Sequence, residues 1–208
     1  MTRSLCKALF FVTVFVLLTG CAESPPAQHE NVCAIFTEKS DWYDAAKEMQ
    51  GKWHIPFYVP LAMMEQESSF QSDVHPPETY LLGFIPWGYV SSAYGYAQAK
   101  DEVWEDYQDN TGHTSADRED FGDALDFMAW YMSKSRHYNK VPYSNAYAHY
   151  LNYHEGWGGY RRGTYRAKKW LMGVAGKVSN RAERYKRQYA SCKARLDKKD
   201  DDGFLGLF

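Results

Sequence analysis

The apolar positions of this chain recur mostly at helical spacing. Ser40-Asp41 opens a helix running through Met49, with acid in its first turn and Gly51 as its stop. Pro56 precedes a second helix over Phe57–Gln66, which turns Leu61 and Met64 inward. Shorter helices are predicted over Asp101–Tyr107 and Ser144–His154. Over Ala116–Lys134, Phe121, Leu125, Met128 and Met132 fall on one face. A long final helix over Arg166–Arg195 carries a stripe of Trp170, Val174, Val178, Ala182, Tyr185 and Tyr189. No segment alternates convincingly at the strand period, and no internal repeat is present. Residues Asp73 to Ser92 contain Pro76, Pro77, Gly83, Pro86 and Gly88 and read as a long loop that carries the apolar run Leu81–Trp87. The pattern predicts an all-α (α-rich) single domain.

The two ends change the picture. Arg3 and Lys7 precede the apolar run Ala8–Leu18, which is too short to span a membrane as a helix. Leu18-Thr19-Gly20-Cys21 follows and resembles a bacterial lipobox. That resemblance implies a signal peptide over 1–20, cleavage before Cys21 and acylation of Cys21. The membrane partner would then be reached through the N-terminal lipid. Ala22, in place of Asp, points to a periplasmic protein held at the outer membrane. Polar, Pro-containing residues 21–30 read as a tether, residues 31–196 as the folded domain and residues 197–208 as a flexible tail. Cys33 and Cys192 are left as a pair near the two ends of the exported chain, which reads as a disulfide in an oxidising compartment.

With 208 residues, 45% of them hydrophobic, the chain can bury a core for one domain. Net charge is -2, and loss of Arg3 and Lys7 with the signal peptide lowers it to -4. There is no basic excess to suit nucleic acid. Seventeen Tyr and seven Trp fit either a Tyr-rich core or a ring-lined groove for sugars. His149 and His154 are badly spaced to share a helix face, and Cys33 and Cys192 lack a Cys-x-x-Cys partner, so neither a metal nor another cofactor is expected.

Three stretches carry candidate chemistry. Glu67-Ser68-Ser69-Phe70 closes an apolar helix. A carboxyl group desolvated there has a raised pKa and can protonate a leaving oxygen near neutral pH. Ser91-Ser92-Ala93-Tyr94-Gly95-Tyr96-Ala97-Gln98 combines small residues with Gln98, an amide suited to sugar hydroxyls or an N-acetyl group. Asn152-Tyr153-His154-Glu155-Gly156-Trp157-Gly158-Gly159-Tyr160-Arg161-Arg162-Gly163 sets rings and cations among four glycines.

Taken in order, Glu-Ser-x-Phe, Ala-x-Gly-x-x-Gln and Tyr-x-x-Gly resemble soluble-lytic-transglycosylase-like domains, whose lysozyme-like fold is closest to goose-type lysozyme. The resemblance runs from about Trp53 to Arg162. It implies that Glu67 is the catalytic acid/base and that Tyr153, the tyrosine near it, is the second catalytic residue, placed to donate a hydrogen bond to that carboxyl or to the reacting sugar. It also implies glycan contacts from Ser92, Tyr94, Gly95, Tyr96 and Gln98, and from His154, Glu155 and Tyr160 in the third stretch. The partner would be peptidoglycan glycan strands, cleaved between N-acetylmuramic acid and N-acetylglucosamine with a 1,6-anhydro product and no cofactor. Tyr96-Ala97 and His154 depart from the usual Leu-Met and Asn of the family. Two alternatives stay open: a hydrolytic muramidase with a second carboxylate from Asp73, Glu78, Asp106 or Glu155, and a non-catalytic cell-wall-binding lipoprotein.

Overall fold

Helices form where the apolar rhythm places them, while caps and packing set their ends. A computed structural model describes residues 23–205, with side chains through Lys198. The signal segment 1–20 and the anchor Cys21 lie outside the described residues. In chain order the elements are α1 (Val32–Glu38), α2 (Ser40–Trp53), α3 (Tyr58–Ser68), β1 (Glu78–Leu81), β2 (Ile85–Tyr89), α4 (Asp101–Thr111), α5 (Phe121–Asn139), α6 (Ala146–Arg162), a 3-10 turn (Thr164–Ala167) and α7 (Lys169–Leu205).

Helix α1 has no counterpart in the sequence reading. Asn31 caps it, accepting from the backbone N–H groups of Cys33 and Ala34. In α2, Gly51 does not stop the helix, which runs on to Trp53 and ends at His54 in the left-handed region. A helical glycine costs about 1 kcal/mol relative to alanine. The extra turn offsets this by delivering Lys52 Nζ (2.9 Å) and Trp53 Nε1 (2.6 Å) to Asp126, which also accepts from the Tyr107 hydroxyl at 2.9 Å. That buried acid ties α2, α4 and α5 together.

Helix α3 is the centre of the fold. Val59 through Glu65 are all buried, and a helix apolar on every side belongs in a core. It docks on α5, α6 and α7. Around it Trp42 stacks on Phe121 at 3.9 Å, and Phe57 meets Phe36 and Tyr189 edge-on. The predicted face Phe121, Leu125, Met128 and Met132 is buried. In α7 the stripe holds at Val178, Ala182 and Tyr185, but Trp170 is 61% exposed, and Leu171 takes the buried position instead. The helix also runs past Arg195 to Leu205. Cys33 and Cys192 form a disulfide across 159 residues, joining α1 to α7.

Two further differences bear on function. The long loop contains a two-stranded antiparallel hairpin, β1 paired with β2, with a bulge between Thr79 and Tyr80. Pro86 is tolerated because the ribbon has only edges, and Leu82 and Gly83 turn it with positive φ. Residues 23–30, expected as a tether, are held against the body. Pro26 is buried, Glu23 pairs with Lys39 at 2.8 Å, and the Ala27 N–H donates to Glu38. Glu30 meets Arg181 and Arg184, and the Tyr185 hydroxyl donates to the His29 carbonyl.

Candidate active site

The last turn of α3 presents Glu67, and the chain then reverses through two consecutive left-handed residues, Ser69 (φ 50°) and Phe70 (φ 61°). Bulky residues rarely adopt this conformation. Phe70 is held in it by complete burial against Trp42. Glu67 opens onto a cavity of about 440 Å³, a volume suited to a small ligand, shared with Gln98, Val103, Phe127, Tyr131 and Tyr153. Glu67 itself is half-buried. Desolvation pushes its pKa up to about 7, against the lowering effect of a hydrogen bond from Tyr150.

Gln98 sits at the tip of a tight turn closed by a bridge between Tyr94 and Ala99. It adopts φ 49°. Its side-chain amide donates to the Val74 carbonyl at 2.7 Å and the Gly95 carbonyl at 3.0 Å. Tyr153 lines the cavity, but its hydroxyl donates to the Ala97 carbonyl at 2.5 Å and so braces this turn against α6. The partner of Glu67 is Tyr150, one turn earlier on α6 and buried. Sequence reasoning missed it. The available signal was the i, i+3 spacing of Tyr150 and Tyr153, which puts both rings on one helix face.

Glu155 and His154 also line the cavity. Burial pushes the Glu155 carboxyl up, but hydrogen bonds from Lys168, Thr164 and His154 outweigh it and bring the pKa down to about 2. Its Oε1 lies 2.6 Å from Lys168 Nζ and 3.0 Å from His154 Nδ1. It is a committed anion. Gly156 breaks α6 at φ 71° and ψ 161°, and this turns the main chain along the cavity edge.

The remaining sequence-predicted residues lie elsewhere. Tyr96 is fully buried, edge-on to Trp42 and Phe121, so aromatic packing and not sugar contact accounts for it. Gly95 faces protein: a Cβ there would lie 2.3 Å from the Arg118 carbonyl oxygen, at φ +74°. Ser92 and Tyr94 line a separate hollow of about 750 Å³ beside the hairpin. Ser92 Oγ accepts from the Asp101 N–H at the start of α4, and the Tyr94 hydroxyl donates to Glu119. Tyr160 stacks on Tyr165 at 5.3 Å and does not line the cavity. Asp73, Glu78 and Asp106 do not line the cavity.

Two expectations follow. Gly95→Ala should cost about 3 kcal/mol, combining left-handed strain with overpacking against backbone, and chemical denaturation should show the loss. Tyr150→Phe removes a hydrogen bond to the ionised carboxyl, so the Glu67 pKa should rise further. The alkaline limb of the pH–rate profile should then move to higher pH; an unchanged or acid-shifted limb would refute this role for Tyr150.

Among the described residues His29, Glu30 and Glu65 bring potential metal-ligating atoms together. Arg181 lies 2.6 Å from Glu65, and Arg184 contacts Glu30. These guanidinium groups already supply the positive charge, so the cluster reads as an ion-pair network.

No curated protein and no solved structure matches the chain. The family model described as "Transglycosylase SLT domain" matches residues 9–192. The helical fold and a desolvated glutamic acid at the end of its core helix accord with that match, and the chain belongs to the transglycosylase SLT domain family of lysozyme-like lytic transglycosylases.

Proposed function

We propose that the protein is a peptidoglycan lytic transglycosylase that cleaves the β-1,4 bond between N-acetylmuramic acid and N-acetylglucosamine, leaving 1,6-anhydromuramoyl ends. The observation that carries this reading is the pairing of carboxyls in the cavity: Glu67 is pushed up to about 7, while Glu155 is already bound as an anion.

Protonated Glu67 donates its proton to the glycosidic oxygen as the bond from muramoyl C1 to that oxygen breaks. The 2-acetamido carbonyl of the substrate stabilises the positive charge developing at C1. The C6 hydroxyl then bonds to C1, and its proton goes to the Glu67 carboxylate, which restores the acid. No water is consumed, and one carboxyl serves both steps. Hydrolysis would instead call on a second carboxylate as nucleophile or base. Glu155 is the candidate in the cavity, and Lys168, Thr164 and His154 occupy its oxygens.

Mass spectrometry of the products from purified peptidoglycan, with Glu67→Gln as the control, tests the reading. Anhydro-ended muropeptides are expected. Reducing ends would make the enzyme a hydrolase, and sacculus binding without cleavage by the wild type would make the protein a binder.

The lipobox-like Leu18–Cys21 segment supports a lipid-anchored periplasmic protein at the outer membrane, with residues 1–20 removed. Intact mass of the membrane-extracted protein, compared with Cys21→Ser, tests that assignment.

A further inference from the structure

The hairpin has no part in the chemistry proposed above, and its surface is unusual. Every residue from Leu81 to Val90 is exposed. Leu82 is 76% exposed, Phe84 72% and Trp87 71%, with Tyr80, Ile85 and Tyr89 beside them. The sequence holds no charged residue between Glu78 and Lys100. Contiguous exposed apolar groups of this kind mark an interaction surface. The strands pair with each other along one edge each; their outer edges keep unpaired main-chain groups, so the ribbon can enter no deeper than the hydrated headgroup boundary.

We propose that the Glu78–Tyr89 hairpin dips into a phospholipid bilayer, its tip Leu81–Trp87 entering the layer between headgroups and acyl chains. Three observations favour lipid over a protein partner. The tip lacks the charged rim that gives a protein interface its register. Tyr80, Trp87 and Tyr89 are the amphipathic ring types enriched at membrane boundaries. The charges appear only at the base, where Glu78 opens β1 and Asp117 and Arg118 line the adjoining hollow; they mark how far the ribbon can sink.

The hairpin base is fixed to the body: the Tyr94 ring stacks on His75 at 4.2 Å, and His75 stacks on Tyr89 of β2 at 4.4 Å. Among the described residues no helix is long and apolar enough to cross a membrane. The proposed contact is interfacial, about 5–10 Å deep, the depth reached by apolar faces that lie in the headgroup boundary. The proposal holds with or without acylation of Cys21.

Phosphatidylcholine vesicles with brominated acyl chains test it on the full chain. Wild type, Trp87→Phe and Trp170→Phe are compared, since Trp170 is the other strongly exposed tryptophan. The emission lost in Trp87→Phe should be blue-shifted on vesicles and quenched at least twofold by bromine, and Trp170→Phe should keep that component. Bound protein whose Trp87 emission is neither shifted nor quenched would overturn the proposal. So would an effect that requires anionic phosphatidylglycerol, because the tip then would not be the inserting group. A Trp87 shift seen without vesicles, in a dimer, would assign the hairpin to a second copy and equally overturn it. If Cys21 carries lipid, Leu82→Ser/Phe84→Ser/Trp87→Ser protein should remain bound through that anchor, and its fluorescence should lack the quenched component.

Discussion

Glu67→Gln is expected to lower glycan cleavage by at least about 10³-fold, since the substitution removes the group that acts as acid and then as base. The same change should make the protein more stable at alkaline pH. The Glu67 carboxyl has its pKa raised from 4.5 to about 7 by burial. The folded state therefore favours the protonated form. Below pH 4.5 the group is neutral folded or unfolded, and its pKa shift imposes no cost. Between 4.5 and 7 the unfolded chain ionises first and stability falls, and above 7 the cost is complete. At 1.36 kcal/mol per pK unit, discounted for the side of the residue open to the cavity, the cost is about 2 kcal/mol. Gln keeps the shape and carries no charge. Urea titration should find Glu67→Gln more stable than wild type at pH 8 and equal to it at pH 4. Equal stabilities at pH 8 would mean that the carboxyl is well solvated. The wild-type rate should fall as pH rises through about 7, because the donor proton is then lost.

The double substitution Cys33→Ser/Cys192→Ser should produce the largest loss of stability. The bridge closes 159 residues, and the chain-entropy relation gives about 5 kcal/mol for a loop of that length. Domains of this class are stable by roughly 5–15 kcal/mol, so the double variant should be marginal at 37 °C. Thermal melting should show a drop of about 10–20 °C, at 2–4 °C per kcal/mol for a chain of this size. Reducing agent should reproduce the drop in the wild type and leave the double variant unchanged. A melting temperature that moves by only a degree or two would show that α1 stays docked on α7 through its other contacts. Among these is the bond between the Gln188 side chain and the Val32 N–H.

The sequence showed the helices well and their ends badly. Periodicity finds Leu125, Met128 and Met132 because burial repeats every turn, whereas local propensity alone makes Gly51 a stop. A three-way bond to Asp126, distant in sequence, decided otherwise. The hairpin escaped detection because both its faces are exposed. Strand alternation arises from one wet and one dry face, and here neither is dry. At the site, Glu67 was legible from its helix-end position and Gln98 from its motif. Tyr96 and Gly95 sit in the same motif for reasons of packing, and spacing alone cannot separate residues that face a cavity from those that face the core. Tyr150 was invisible because a tyrosine inside an apolar helix reads as core until its hydroxyl finds a carboxylate.

The hydrogen bonds of Gln98 restrict what can approach it. A primary amide has two hydrogens to give, and both go to main-chain carbonyls. Its remaining oxygen can only receive. Any guest atom meeting it must bring its own hydrogen, as a sugar hydroxyl or an acetamido N–H does. A guest offering a bare carboxylate or ketone would find no donor there.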